Sequence, residues 1–118
     1  LIAFEKLEAM RYAHFLKKDG VIIANDQRID PITVVTGQAE YPDHILETLS
    51  EKHKVISIDA MAEAKKLGNP KVFNTIIIGV AAKHMDFDHD KWVEVIKATV
   101  PPKTVEMNLK AFEVGYAL

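Results

Sequence analysis

Leu1-Ile2-Ala3-Phe4 and Val21-Ile22-Ile23-Ala24-Asn25 bracket a stretch with no proline that closes on Asp19-Gly20, and this arrangement decides the fold class. Each run is short, continuous and apolar, the pattern of a strand covered on both faces. Residues 6–18 between them are helix formers, and Asp19-Gly20 supplies a left-handed stop. Strand, helix and strand in that order form the unit of a parallel sheet. The chain enters its first strand without methionine, cap or lead-in, so the reading expects a domain truncated at its N-terminus.

Further along, polar residues 26–30 lead to Pro31, and β-branched residues 32–36 run up to Gly37, which reads as a third strand at a sheet edge. Pro42 suits the first turn of a helix reaching residue 52, with Ile45, Leu46 and Leu49 on one side. Residues 55–59 alternate as a fourth strand, and 60–67 form a helix stopped by Gly68. Asn69-Pro70 opens the next segment as cap and first-turn proline. Its Thr75-Ile76-Ile77-Ile78 core has strand composition, but the uninterrupted length of residues 70–84 favours a buried helix with Gly79 as a close-packing point. Asp88 is expected to cap a helix over 89–99, and Pro101-Pro102 to open a last one over 103–116. The expected fold is a single α/β domain over 1–118: a three-layer α/β/α, Rossmann-like arrangement with a largely parallel sheet and a helical C-terminal part.

The last helix is apolar on two sides. At about 100° per residue, Val105, Leu109, Phe112 and Tyr116 share one face, while Met107, Ala111, Val114 and Leu118 lie nearly opposite. Such a helix must be covered twice. The cover is a partner chain, another part of the same protein, or one core wrapping both faces. The residues expected at a partner interface are therefore Met107, Leu109, Ala111, Phe112, Val114 and Tyr116.

A chain of 118 residues with a formal charge of −2 and no basic block lacks the electrostatic footprint of a nucleic-acid binder. The absence of cysteine excludes a thiolate nucleophile, a disulfide frame and cysteine-ligated clusters or zinc. No apolar run is long enough to span a membrane, and the expected location is cytoplasmic. Asp86-Phe87-Asp88-His89-Asp90 alternates like the start of a calcium loop. It then places Lys91 where the turn needs glycine and Lys97 where a bidentate glutamate is needed, so no metal site is expected. The five histidines show no metal-ligand pairing on a helix.

In parallel sheets ligands gather at the carboxyl ends of the strands. Glu5 and Glu8 flank the first such end, Asn25-Asp26 the second and Thr36-Gly37 the third. Glu5, Asn25 and Thr36 are the expected cleft-facing positions, although acids in a first helical turn are also favoured by its dipole alone. No catalytic residue is assigned, and Tyr41-Pro42 reads as a turn.

Four ordered pieces carry a family likeness: Ile2-Ala3-Phe4-Glu5-Lys6-Leu7-Glu8-Ala9, Val21-Ile22-Ile23-Ala24-Asn25-Asp26, Gly68-Asn69-Pro70-Lys71-Val72, and the run from Pro101-Pro102-Lys103-Thr104 through Asn108-Leu109-Lys110-Ala111-Phe112-Glu113-Val114-Gly115-Tyr116. Together they resemble the beta subunit of indolepyruvate ferredoxin oxidoreductase and, more broadly, the gamma subunit or domain of the 2-oxoacid:ferredoxin oxidoreductases, including pyruvate and 2-oxoglutarate enzymes. Family members begin with a Gly-x-Gly-Gly-Gln-Gly turn and a second loop rich in serine, arginine and glycine. Neither is present here, so the chain is expected to be the carboxyl-terminal portion of such a subunit, and roles resting on those loops are not carried over.

The resemblance implies the non-cluster subunit of an enzyme that oxidatively decarboxylates a 2-oxoacid to an acyl-coenzyme A and passes electrons to ferredoxin. It implies that thiamine diphosphate and the iron–sulfur clusters sit on a cysteine-rich catalytic partner. This chain would bind no cofactor alone, would be inactive alone, and would help shape the substrate or coenzyme A entrance. The competing reading from the residues is a homodimeric small-molecule binding or regulatory module, formed by self-association through the two-faced helix.

Overall fold

Ile2–Ala3 (β1), Val21–Asn25 (β2) and Lys54–Ile58 (β3) form one parallel sheet in the order β1-β2-β3. Ile2 pairs with Ile23 and Ala3 with Ala24, and five register pairs from Val21–Lys54 to Asn25–Ile58 join β2 to β3. Burial of Ile22, Ile23, Ala24 and Asn25 explains why the central strand reads as a continuous apolar run. A computed structural model describes all of residues 1–118 and resolves them into two units, Leu1–Ile58 and Asp59–Leu118. The class is α/β, with three strands and seven helices.

In the first unit, helices α1 (Lys6–Tyr12) and α3 (Ile45–Ser50) share a core with the sheet: Ala9, Ala13, Ile45 and Leu49 close over Ala3, Ile22 and Ala24. Small alanines on both surfaces let the helix backbone approach the strands. The first helix ends earlier than expected. It tightens into a 3₁₀ turn at Ala13–Phe15, and the left-handed residue is Asp19 (φ 67°), not Gly20. Gly20 serves a different need, since a Cβ there would lie 2.5 Å from Leu16 Cγ.

The expected third strand is absent. Ile32–Val35 is a short helix, α2, and Thr36 is its C-cap. Pro31 sets the entry with φ −64°, and Gly37 (φ 77°) ends the turn: its N–H bonds Val34 O while the Gln38 N–H reaches back to Thr33 O. That pair of bonds is a Schellman stop, so proline before and glycine after mark a helix. Ile32 and Val35 are 73% and 68% exposed. Strand propensity reflects packing against sheet neighbours, and these β-branched residues have none.

In the second unit the expected helices are present. Asp59 caps α4 (Ala60–Lys66), its carboxylate accepting the Ala62 N–H at 2.9 Å, and Gly68 (φ 86°) stops it. Asn69 Oδ1 accepts the Lys71 N–H at 3.0 Å, and Pro70 opens a 3₁₀ turn that runs into α5 (Phe73–Ala82). Seven of the ten α5 residues are buried, which accounts for the strand-like composition of a helix. Two more helices follow, α6 (His89–Thr99) and α7 (Val105–Ala117), the second after a 3₁₀ turn at Pro102–Thr104. Asp88 holds the N-cap position of α6, but its carbonyl, not its side chain, takes the Lys91 and Trp92 N–H groups.

Gly79 and Gly115 bring α5 and α7 into backbone contact. A Cβ on Gly79 would lie 2.3 Å from Phe112 O, and one on Gly115 would lie 2.0 Å from Ile76 O. Around this seam Ala82, Ile96 and Phe112 form a cluster with Ile78, Trp92, Leu109 and Tyr116. His89 ties the ends of α6 and α7 together, its Nε2 lying 2.6 Å from Glu113 Oε1 and its ring against Phe112 and Tyr116. No helix is long and apolar enough to cross a membrane.

Candidate functional site

Where β1 gives way to α1, Glu5 takes the N-cap with extended backbone (φ −150°, ψ 147°). Its side chain turns inward and is 6% exposed. Oε1 accepts the Glu8 N–H at 2.9 Å, while Oε2 accepts the Ile29 N–H at 3.2 Å and the Tyr41 hydroxyl. One carboxylate therefore caps a helix and pins two loops that meet at the carboxyl edge of the sheet. Burial by itself would raise the Glu5 pKa. The Tyr41 hydroxyl and the backbone N–H groups around the carboxylate outweigh burial and hold it below its ordinary value. Tyr41 is pushed upward, first by burial and then by donating to that carboxylate.

Asn25 closes β2 beside it and is 1% exposed. Its amide donates to Phe4 O at 3.2 Å and to Gln27 Oε1 at 3.0 Å, so it stitches the end of β1 to the loop after β2. Backbone bonds from Lys6 N to Gln27 O (3.1 Å) and from Asp26 N to Ile58 O (2.7 Å) gather the three strand ends at this edge.

Above this floor lies a cavity of about 240 Å³, lined by residues that include Lys6, Asp26, Arg28, Tyr41, Asp43 and His44. Lys6 Nζ lies 3.3 Å from Asp26, and Arg28 Nε lies 2.6 Å from Asp30 while its guanidinium covers the Tyr41 ring at 4.3 Å. His44 holds left-handed backbone (φ 55°) at the entry to α3. The surface is polar and carries both signs of charge. It suits a small polar or charged ligand that competes for existing ion pairs. Its buried titratable pair is tuned away from proton transfer near neutral pH, because Glu5 is held ionised and Tyr41 protonated.

Of the sequence-derived positions, Glu5 and Asn25 come together at this edge, both as buried framework beneath the cavity. Thr36 does not join them: it is exposed at the end of α2, and its hydroxyl bonds Ile32 O at 2.9 Å. Glu8 turns outward to Arg11 at 2.7 Å. Sequence reasoning passed over Lys6, Arg28 and Tyr41. Lys6 follows directly on the first strand end, which is a usable signal. Tyr41 meets Glu5 across 36 residues and has no local one.

The expected interface residues all lie on α7 but differ in burial. Ala111 and Phe112 are fully buried, while Met107, Leu109, Val114 and Tyr116 are half-buried. Leu109, Phe112 and Tyr116 pack into the cluster with α6, and Ala111 turns the middle of the opposite face inward as well. No group of three or more histidine, aspartate or glutamate side chains is arranged to hold a metal ion.

Comparison with known proteins places this geometry. The chain is 36% identical over 121 residues to the indolepyruvate oxidoreductase subunit IorB of Thermococcus kodakarensis, and 37% identical over 123 residues to that of Pyrococcus horikoshii. Each alignment covers 98% of this chain and 60% of the relative, so the chain spans about three fifths of their length. Among solved structures, the gamma subunit of a keto/oxoacid ferredoxin oxidoreductase from Geobacter sulfurreducens superimposes with a TM-score of 0.72. That match covers 99% of this chain and 61% of the other at 19% identity, which supports the fold. The family profile described as pyruvate ferredoxin/flavodoxin oxidoreductase matches residues 1–118. With its whole length matched, a parallel sheet of the same fold and relatives at this identity, the chain belongs to the pyruvate ferredoxin/flavodoxin oxidoreductase family.

Proposed function

We propose that this chain acts within the non-cluster subunit of a 2-oxoacid:ferredoxin oxidoreductase of the indolepyruvate, or arylpyruvate, type. The observation that carries the proposal is the 36–37% identity, over 98% of the chain, to subunits named for indolepyruvate oxidation. In this reading the complete enzyme decarboxylates an aryl-2-oxoacid oxidatively to its acyl-coenzyme A and hands electrons to ferredoxin, in the cytoplasm. Thiamine diphosphate and iron–sulfur clusters supply the carbanion and electron chemistry when bound. Cluster ligation does not fit this chain, which has no cysteine, so the clusters are assigned to a cysteine-rich companion subunit.

The work left to this chain is structural and positional. Glu5 and Asn25 hold the rim of the polar cavity, and Lys6 and Arg28 offer it cations. The companion is proposed to dock on α7 through Met107 and Val114, the half-buried members of the face whose Ala111 is already covered. Exposed charge at that contact would be desolvated without a partner on docking, so Met107→Glu combined with Val114→Glu is expected to abolish association and leave the fold intact.

The test is co-purification of the tagged, full-length protein from its native source, with iron and thiamine analysis and viologen reduction over a panel of 2-oxoacids. Iron, thiamine and aryl-2-oxoacid-dependent reduction in one complex are expected. A preference for pyruvate or 2-oxoglutarate would move the chain to another branch of the family. A protein that comes down alone as a tight dimer would replace this reading with a homodimeric binding module.

A further inference from the structure

We propose that the groove enclosed by α5, α6 and α7 in the second unit is a binding site for a compact apolar carboxylate, aromatic or branched-chain. It encloses about 520 Å³, within the roughly 300–1,000 Å³ of small-molecule sites. Ile78, Trp92, Val95, Ile96 and Val100 supply its apolar walls. Its buried polar groups are largely spent on one another: the Thr75 hydroxyl donates to Asn108 Oδ1 at 2.7 Å, and the Asn108 amide donates to Thr104 O at 3.0 Å. The body of a ligand here must therefore be apolar, because it would otherwise be desolvated without compensation.

The head group follows from what remains. Lys71 is the only ionisable residue in the lining; it is exposed and forms no ion pair. Asn69 holds the Lys71 backbone N–H, which fixes the start of the lysine stem at the rim. Trp92, on the wall, carries the one buried side-chain polar atom of the chain without a hydrogen-bond acceptor, its indole Nε1. A lone cation and an unmatched donor beside an apolar wall match an anionic acceptor on a small apolar frame. The inference rests on these residues and is independent of the catalytic reading above.

Trp92 is the only tryptophan, so its fluorescence reports on the groove directly. The full chain is titrated with phenylacetate and isovalerate, with phenylacetamide as the uncharged control, and equilibrium dialysis of labelled phenylacetate measures occupancy independently of any optical change. Expected is saturable binding of one equivalent, roughly sub-millimolar for a ligand of this size, with the amide about three- to fivefold weaker, as an exposed charge pair allows. Lys71→Met should remove the difference between acid and amide while leaving amide affinity unchanged. Val95→Phe fills the groove from a residue that is 58% exposed, and should weaken both acids at least about tenfold with an unchanged circular dichroism spectrum. The ratio of phenylacetate to isovalerate affinity assigns the aromatic or the branched class. Absence of saturable binding in dialysis, as for a groove covered by a companion polypeptide, would overturn the proposal. So would binding that survives Val95→Phe, or an equal effect of Lys71→Met on acid and amide.

Discussion

Replacing Gly115 by alanine sets two effects of opposite sign against each other. In an exposed helix the change would stabilise by about 1 kcal/mol, because glycine carries the larger entropy cost of becoming helical. Here the new Cβ would lie 2.0 Å from Ile76 O, 2.9 Å from Ile76 C and 3.0 Å from Val80 N. All three are backbone atoms of α5 and cannot swing aside. Ordinary contact begins near 3.4 Å, so α5 and α7 must part by about 1.4 Å. A gap of that size forfeits a large share of the dispersion along a seam that holds the buried Ile76, Ala111 and Phe112. Overpacking of this kind costs about 1–3 kcal/mol and sometimes more. With the propensity gain set against it, Gly115→Ala should destabilise by roughly 2 kcal/mol. Urea unfolding followed by circular dichroism and Trp92 fluorescence measures this. Gly79→Ala, whose Cβ would lie 2.3 Å from Phe112 O, should behave alike. The double variant should lose less than the sum, because one alanine has already parted the helices. An unchanged or raised midpoint for Gly115→Ala would refute the backbone-contact reading of the seam.

Glu5→Ala should cost about 2–3 kcal/mol by chemical denaturation, from the lost cap and from the donors left at Ile29 and Tyr41, whereas Tyr41→Phe should cost about 1 kcal/mol. The Glu5 pKa in the fold lies below 4.5, so its contribution is complete above about pH 4.5 and is lost as pH falls through the lower folded value. Glu5→Gln should flatten that acid limb in stability measured against pH. His89 is raised above 6.5 by Asp90 and by Glu113. The stability it adds is therefore full below about pH 6.5 and fades as pH rises through the folded value, and Glu113→Gln should lower its NMR-titrated pKa. Asp59→Ala should cost about 1 kcal/mol through the lost α4 cap, and Asp59→Asn much less.

The parts of this protein legible in its sequence are those that short-range physics settles. Strand, helix and strand over the first 25 residues follow from apolar runs and a helix-forming stretch between them. Asp59, Gly68 and Asn69-Pro70 mark α4 and α5 because capping is a contact between near neighbours. Length favours helix over strand for residues 70–84, and Gly79 stands out in a helix with no turn to make. The carboxyl-edge rule places Glu5 and Asn25 at the strand ends, since in a parallel sheet those ends share one edge.

Tertiary structure decided what depends on distant partners. Ile32–Val35 is β-branched yet helical, because a strand needs a neighbouring strand and these exposed residues have only Pro31 and Gly37 to direct them. Tyr41 reads locally as a turn residue, and it becomes the partner of a buried carboxylate 36 positions away only when the loops close over the sheet edge. The two-faced α7 was legible as a pattern. Which of its residues lie inside was fixed by two glycines that let α5 approach to backbone contact, a distance that no periodicity encodes.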